Sequence, residues 1–306
     1  MGLTILVVGG TGMIGGHAAL YLQSKGHQIT IAGRHRPDSV PLLAALPFLQ
    51  GDYVNEDFTK DQLSAFDAVI FTAGADVRHV PADTDADTYL LRANATAVPS
   101  FAALARSAGV KQFVHVGSAY PHILPDLIEK DAYIRSRKLA AEGVASLSTP
   151  SFSATSLDPP FVVGTVPGLD VPMFQAYVQY AEGKLPIPPS APQGGLNFIS
   201  AQSLSEAIAG ALEHPSEVAS RTILVGDENF TYVEYFDKFF KAVGRENVNV
   251  EATAGEHPLL PRSALFAGEE VVTFETNPED VKILGNFRRN DINRTIEEIV
   301  QQYRSK

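Results

Sequence analysis

Three glycines at intervals of three, Gly9, Gly12 and Gly15, follow an apolar run, Leu3-Thr4-Ile5-Leu6-Val7-Val8, and lead into a helical pattern over 16–22. In that order, strand, glycine turn and helix, the turn can offer backbone N–H groups to a phosphate. Gly9 would allow the tight turn, Gly12 would let a diphosphate approach backbone that carries no Cβ, and Gly15 would let the helix pack close to the strand. Thr11, Met13 and Ile14 complete the turn and are expected to border the same ligand. The plainer alternative is a glycine turn that holds nothing. The βαβ pattern that surrounds it weighs against this.

A second set of candidates lies where the next strand ends. A carboxylate about 20 residues past such glycines would accept ribose hydroxyls and repel a 2′-phosphate, whereas an arginine would bind that phosphate. The sequence there reads Gly33-Arg34-His35-Arg36, with no acid. Arg34 and Arg36 therefore point to NADP(H) over NAD(H), through bidentate pairing with phosphate and stacking on adenine. Solvated surface arginines are the alternative. Further on, Thr72-Ala73-Gly74 ends an apolar stretch in small residues, which suits a backbone running close to a cofactor.

These candidates need elements to position them. Strand patterns fall within 26–34, after a helix stop, and at 48–49, 68–74, 111–119 and 152–164, alternating with helical patterns, the clearest over 90–108 and 131–142. Gly109 would close the first of those two helices. The alternation implies an α/β fold with a doubly wound parallel sheet of Rossmann type, whose ligands bind at the carboxyl ends of the strands. Prolines punctuate 164–195 and suggest an insertion over the cleft with one helix near 171–183. The expected organisation is a dinucleotide-binding domain over 1–160 and a smaller C-terminal substrate-capping domain over 161–306, with 195–225 returning to the main sheet. Ser203 would cap a helix with Glu206 closing a capping box, and Thr231 with Glu234 would do the same further on.

Composition narrows the classes. The 306 residues are 45% hydrophobic, carry a formal net charge of −11 and include no cysteine. The acidic balance argues against nucleic acid and anionic membranes as partners. The absence of cysteine removes disulfides, thiolate nucleophiles and cysteine metal sites. No His/Asp/Glu cluster has metal-ligand spacing. The chain starts in a strand without a leader pattern, and a cytoplasmic protein is expected.

Taken together, the motifs resemble the short-chain dehydrogenase/reductase superfamily in its extended and atypical branches, the NAD(P)-dependent epimerase/dehydratase family. The residues that carry the likeness are Gly9-Gly10-Thr11-Gly12-Met13-Ile14-Gly15, Tyr133-x-x-Ser136, and Pro159-Pro160-Phe161-Val162-Val163-Gly164. The resemblance implies that Asp52, beside Tyr53, meets the adenine amino group, that Asn94 precedes a helix under the nicotinamide, and that Pro160, Phe161, Val162 and Val163 flank the nicotinamide. It makes Ser118 and Tyr133 the pair that hydrogen-bonds and protonates a carbonyl oxygen as hydride arrives. A phenol is a poor base at neutral pH, and a cation one helical turn away favours phenolate. The family has lysine at that position, and this chain has Arg137. Lys138 lies about 140° round the helix from Tyr133, against about 40° for Arg137. Arg137 keeps the charge and can bind ribose hydroxyls but never releases its proton. Asp158 stands where the family has arginine.

Three readings follow: an NADP(H)-dependent carbonyl reductase or alcohol dehydrogenase, a non-catalytic NADP(H)-binding sensor or scaffold, and an NAD-dependent sugar-nucleotide epimerase or dehydratase. The partner would be a small molecule, and a homodimer is common in the superfamily. Arg78 and His79 fall in an acidic loop near the expected cleft mouth. His257, Arg262, Arg288 and Arg289 could face substrate, with solvated positions as the alternative.

Overall fold

The computed structural model describes residues 2–76, 80–261 and 265–304. Arg78, His79 and Arg262 lie outside the described residues. Seven strands form the main sheet: β1 (Thr4–Val8), β2 (Gln28–Gly33), β3 (Phe48–Gln50), β4 (Ala68–Phe71), β5 (Gln112–Val116), β6 (Ser153–Asp158) and, returning late in the chain, Thr222–Leu224. Their order is β3-β2-β1-β4-β5-β6 and then Thr222–Leu224, and all neighbours run parallel. The sheet reverses its winding between β1 and β4, and their carboxyl ends open a crevice there.

The apolar run of β1 is continuous because both its faces are covered. Ile5 and Val7 pack with Ala18, Ala19 and Leu22 of the helix Met13–Ser24 and with Leu204 and Ile208 of the helix Ala201–Glu213. Leu6 and Val8 face the other way, into a layer with Phe101 of the helix Ala97–Ser107 and Val144 of the helix Ala132–Ala145. The latter helix is started by Asp131, whose side chain accepts the Ile134 N–H at 2.9 Å.

The second half builds its own core. β7 (Phe161–Val163) pairs in parallel with β9 (Gly195–Ser200), and β9 pairs antiparallel with β11 (Glu228–Thr231). β8 (Ser190–Pro192) pairs with β12 (Glu251–Thr253), and the return strand Thr222–Leu224 is β10. Rings from Phe174, Tyr177, Tyr180, Phe198, Tyr235, Phe236 and Phe239 pack edge-on and face-on around the helix Tyr232–Ala242. Thr231 and Glu234 form the expected capping box at its start.

Two expectations are corrected. The cap of the helix Ala201–Glu213 is Ser200, whose hydroxyl accepts the Ser203 N–H at 2.9 Å. Ser203 is already inside the first turn, and Glu206 instead accepts the Arg288 N–H. The segment over 195–200 joins the three-stranded sheet, and only Thr222–Leu224 reaches the main one. Among the described residues no helix is long and apolar enough to cross a membrane.

Candidate active site

A cleft of about 850 Å³ opens over the carboxyl ends of β1, β2, β4 and β5. Gly9, Thr11, Gly12, Met13, Ile14, Gly15, Arg34, Asp52, Tyr53, Thr72, Ala73, Gly74, Ser118, Tyr133, Arg137, Pro160, Phe161 and Val162 all line it. Residues chosen from seven separate stretches of sequence thus meet at one surface.

Three predicted residues stay out of the cleft, each for a visible reason. Arg36 pairs with Asp38 at 3.2 Å, donates to the Ala44 carbonyl at 2.9 Å and lies over the Phe48 ring. Asn94 is fully buried in a π-helical turn, Leu91–Thr96, where it accepts from the Ala75 N–H and donates to the Ala75 carbonyl and to Ser136 Oγ. It holds the backbone that leaves β4 and does not line the cleft. Val163 is fully buried in the aromatic core of the second half.

The glycine turn explains its own composition. Gly9 has φ +82°, and a Cβ there would sit 2.7 Å from the Ala73 nitrogen. A Cβ on Gly15 would meet the Gly9 carbonyl oxygen at 2.4 Å. Gly12 differs: its nearest neighbour would be 3.5 Å away, and its backbone is extended. Space within the protein therefore does not demand glycine at 12, whereas a ligand lying against it would. Gly12 is also the N-cap of the helix Met13–Ser24, and no side chain caps that end. The helix terminus thus presents its first-turn amides and positive dipole to the cleft. This geometry fits a dinucleotide diphosphate.

Around that turn, Arg34 is exposed at the cleft edge. Asp52 uses one carboxylate oxygen to accept the Val54 N–H at 2.9 Å, which starts a short turn under the cleft. Tyr53 packs edge-on against Phe71, and burial pushes its phenol up, opposed in part by the Arg137 charge. The Thr72 hydroxyl donates to the Val8 carbonyl at 2.9 Å, fastening β4 to β1.

On the other side of the crevice, Ser118 is 7% exposed at the exit of β5, and its hydroxyl oxygen accepts the Tyr120 N–H at 3.4 Å. Tyr133 is half-buried, one turn before Arg137 on the helix Ala132–Ala145. Arg137 is 7% exposed, and its Nη2 donates to the carbonyls of Val116 and Gly117 at 2.9 and 2.8 Å. Its Nη1 fills the space that a Cβ on Gly74 would occupy, at 2.4 Å. The guanidinium therefore forms part of the cleft floor, bonded to the end of β5 and packed against Gly74 beyond the end of β4. Its buried Nε has no protein partner. This is more than the charged substitute for lysine that the sequence suggests: a lysine ammonium lacks the planar fork that spans these groups. Tyr120, the neighbouring phenol, is pushed well up by burial and stays protonated.

Several cleft residues carry no motif. Phe266 stacks on Tyr133 with ring centroids 5.0 Å apart and planes 14° apart, and Tyr120 lies 4.7 Å from Phe266. Met173, Tyr177 and Pro258 to Pro261 also line the cleft. Asp158 does not. It is 1% exposed, accepts from Ser156 Oγ at 2.5 Å and lies 2.7 Å from His122 Nε2. A Cβ on Gly117 would collide with its carboxylate, so Gly117 and Asp158 fit as a pair. His257 is buried beside Tyr180 and Phe236, away from the cleft. Arg288 and Arg289 are engaged with Glu206, Asp291 and Asp227.

Comparison with known proteins bears on the family and the fold. A profile of the NAD dependent epimerase/dehydratase family matches residues 5–226. The fold is similar to gox2253 (TM-score 0.78, 19% identity, covering 99% of this chain and 98% of that one). It is similar to the UDP-glucose-4-epimerase of Stenotrophomonas maltophila, solved with NAD and formylated UDP-arabinopyranose (TM-score 0.76, 18% identity, 99% and 98% covered). It is also similar to Gre2 of Candida albicans, solved with NADPH (TM-score 0.73, 17% identity, 99% of each chain covered). No curated protein matches the chain by sequence. At these identities the likeness to solved structures is one of fold, and the profile match over most of the chain assigns the family: this chain belongs to the NAD dependent epimerase/dehydratase family.

Proposed function

We propose that the chain is an NADP(H)-dependent carbonyl reductase or alcohol dehydrogenase acting on a small to medium organic substrate. The observation that carries this reading is the meeting of Ser118 and Tyr133 with the glycine turn in one cleft. When bound, a nicotinamide dinucleotide would supply or take up the hydride. Gly12 and the first amides of the helix Met13–Ser24 would hold the diphosphate, and Arg34 at the cleft edge would favour a 2′-phosphate. Tyr133 would give its phenolic proton to the carbonyl oxygen and take it back in the reverse direction, while the Ser118 hydroxyl donates a hydrogen bond to the same oxygen. Arg137 would act from the floor, as a fixed positive charge and as the tie that sets the exit of β5 where Ser118 stands.

One observation favours a second reading. Because Arg137 Nη2 is committed to two carbonyls, the site could bind NADP(H) without turnover, as a sensor would. NADPH consumption against a panel of carbonyl compounds, with Tyr133→Phe alongside, separates the possibilities. The reductase predicts carbonyl-dependent consumption that falls by about a thousandfold in Tyr133→Phe. Tight NADPH binding with no consumption would support the sensor. NAD co-purifying at full occupancy would favour an epimerase or dehydratase.

A further inference from the structure

The two ends of the cleft differ in charge. Among the described lining residues, the charged side chains are Arg34, Asp52, Asp76 and Arg137. All belong to the ends of the main-sheet strands or to the helix beside them. Every described lining residue that follows Arg137 in the chain is aliphatic, aromatic, proline or methionine. Its one hydroxyl, on Tyr177, already donates to the Leu259 carbonyl at 3.2 Å. The helix Pro172–Ala181, whose Met173 borders this wall, offers little to an anion. Pro172 has no N–H, and the Val171 N–H is donated to the Tyr303 hydroxyl at 2.7 Å. Phe266 meanwhile lies flat against Tyr133 and makes the ring face of the proton donor part of an aromatic wall.

We infer that the substrate is an uncharged carbonyl compound, or the matching alcohol, that carries an apolar and preferably aromatic group, and that Phe266 is its specificity-determining residue. This rests on the reductase reading and narrows it to a substrate class. Among the described residues, a diphosphate or carboxylate placed against this wall would lose its hydration and meet no charged side chain in return. An aryl group would displace water from apolar surface and stack at the 4.5–7 Å centroid spacing that aromatic pairs favour. The carbonyl would then reach Ser118 and Tyr133 from the apolar side, with its chemistry unchanged: hydride to carbon, the Tyr133 proton to oxygen.

The test is calorimetric titration of the full chain, with and without saturating NADP+, using acetophenone, para-acetylbenzoate and UDP-glucose as probes. Cofactor binding is measured first, and turnover of acetophenone with NADPH is measured separately. The inference expects acetophenone to bind about tenfold or more tightly than para-acetylbenzoate, with no heat from UDP-glucose. Phe266→Ala should weaken acetophenone about fivefold to tenfold and leave NADP+ binding unchanged. Phe266→Leu, which keeps the wall apolar, should recover part of that loss. Acetophenone that binds with these preferences but is not reduced sustains the pocket assignment and refutes the reductase reading. Equal affinity for the carboxylate, measurable binding of UDP-glucose, absence of binding by all three probes, or an unchanged Phe266→Ala would each overturn the inference.

Discussion

The two walls of the cleft are made of different material. The cofactor wall is mostly backbone: a glycine turn, an uncapped helix end, and strand exits fastened by Thr72, Asn94 and Arg137. The opposite wall is made of side chains, with Phe161, Met173, Tyr177 and Phe266 drawn from three distant segments. Backbone geometry is fixed by local sequence, because a turn at φ +82° or a Cβ-free approach can be met only by glycine at a set spacing. An apolar wall accepts many side chains of similar volume. One wall is therefore specified residue by residue, and the other by general character.

The largest effect that would probe this contrast belongs to Arg137. Arg137→Ala should destabilise the protein by about 3 kcal/mol, because it leaves the buried Val116 and Gly117 carbonyls unpaired and opens space beneath Gly74. Gly74→Ala should be costly in the parent and nearly neutral in the Arg137→Ala background, since its Cβ collides with Nη1. Thermal melts of the four proteins in the cycle check this. Additive losses would mean that Arg137 does not occupy the floor as described.

Acid offers a smaller, more general probe. His17 joins the glycine-turn helix to Ser205 of the helix Ala201–Glu213, with 2.8 Å between Nδ1 and Oγ. Burial, and after it the Arg294 charge, lower its pKa from 6.5 to about 4. Between those values the unfolded chain takes up a proton that the folded chain refuses. Stability is thus full well above pH 6.5 and falls as pH drops toward 4, by up to about 3 kcal/mol from this group. His115, held well below its ordinary value by burial and then by Arg137, adds in the same direction. Denaturant melts from neutral pH down to 4 should show the fall, and His17→Gln, which can still bond Ser205, should flatten it. An unchanged slope would contradict the assignment.

The smallest effect tests the arginine pair. Arg34→Ala should weaken NADPH about tenfold and leave NADH nearly unchanged, whereas Arg36→Ala should leave both nearly unchanged. Equal loss for both arginines would place Arg36 in the cleft after all.

Sequence and structure agree best where function depends on backbone. The turn at 9–15 and the strand ends follow from periodicity and glycine spacing, and Ser118 and Tyr133, which the family resemblance implies as a pair, line one cleft. Side-chain direction was harder to read. Arg34 and Arg36 are two apart on a chain that has left its strand, so period alone does not say that one faces the cleft and the other turns to Asp38 and Phe48. Ser200 and Ser203 both suit a cap, and the choice depends on where β9 ends. Phe266 carries no local signal, because its position against Tyr133 depends on contacts formed across the whole fold. Asp158 looks like a departure from the family until Gly117, Ser156 and His122 are seen to fit its carboxylate.

The account rests on a diphosphate lying against Gly12, and one variant separates ligand from fold. A Cβ at Gly12 would meet no protein atom closer than 3.5 Å, and Gly12→Asp puts a good capping residue at the start of a helix that has no side-chain cap. It also sets a negative charge where the phosphates would sit. Isothermal titration with NADPH, alongside a thermal melt, should show an unchanged or slightly raised melting temperature and affinity reduced about a hundredfold or more. A Gly12→Asp protein that melts normally and binds NADPH as the parent does would contradict the account.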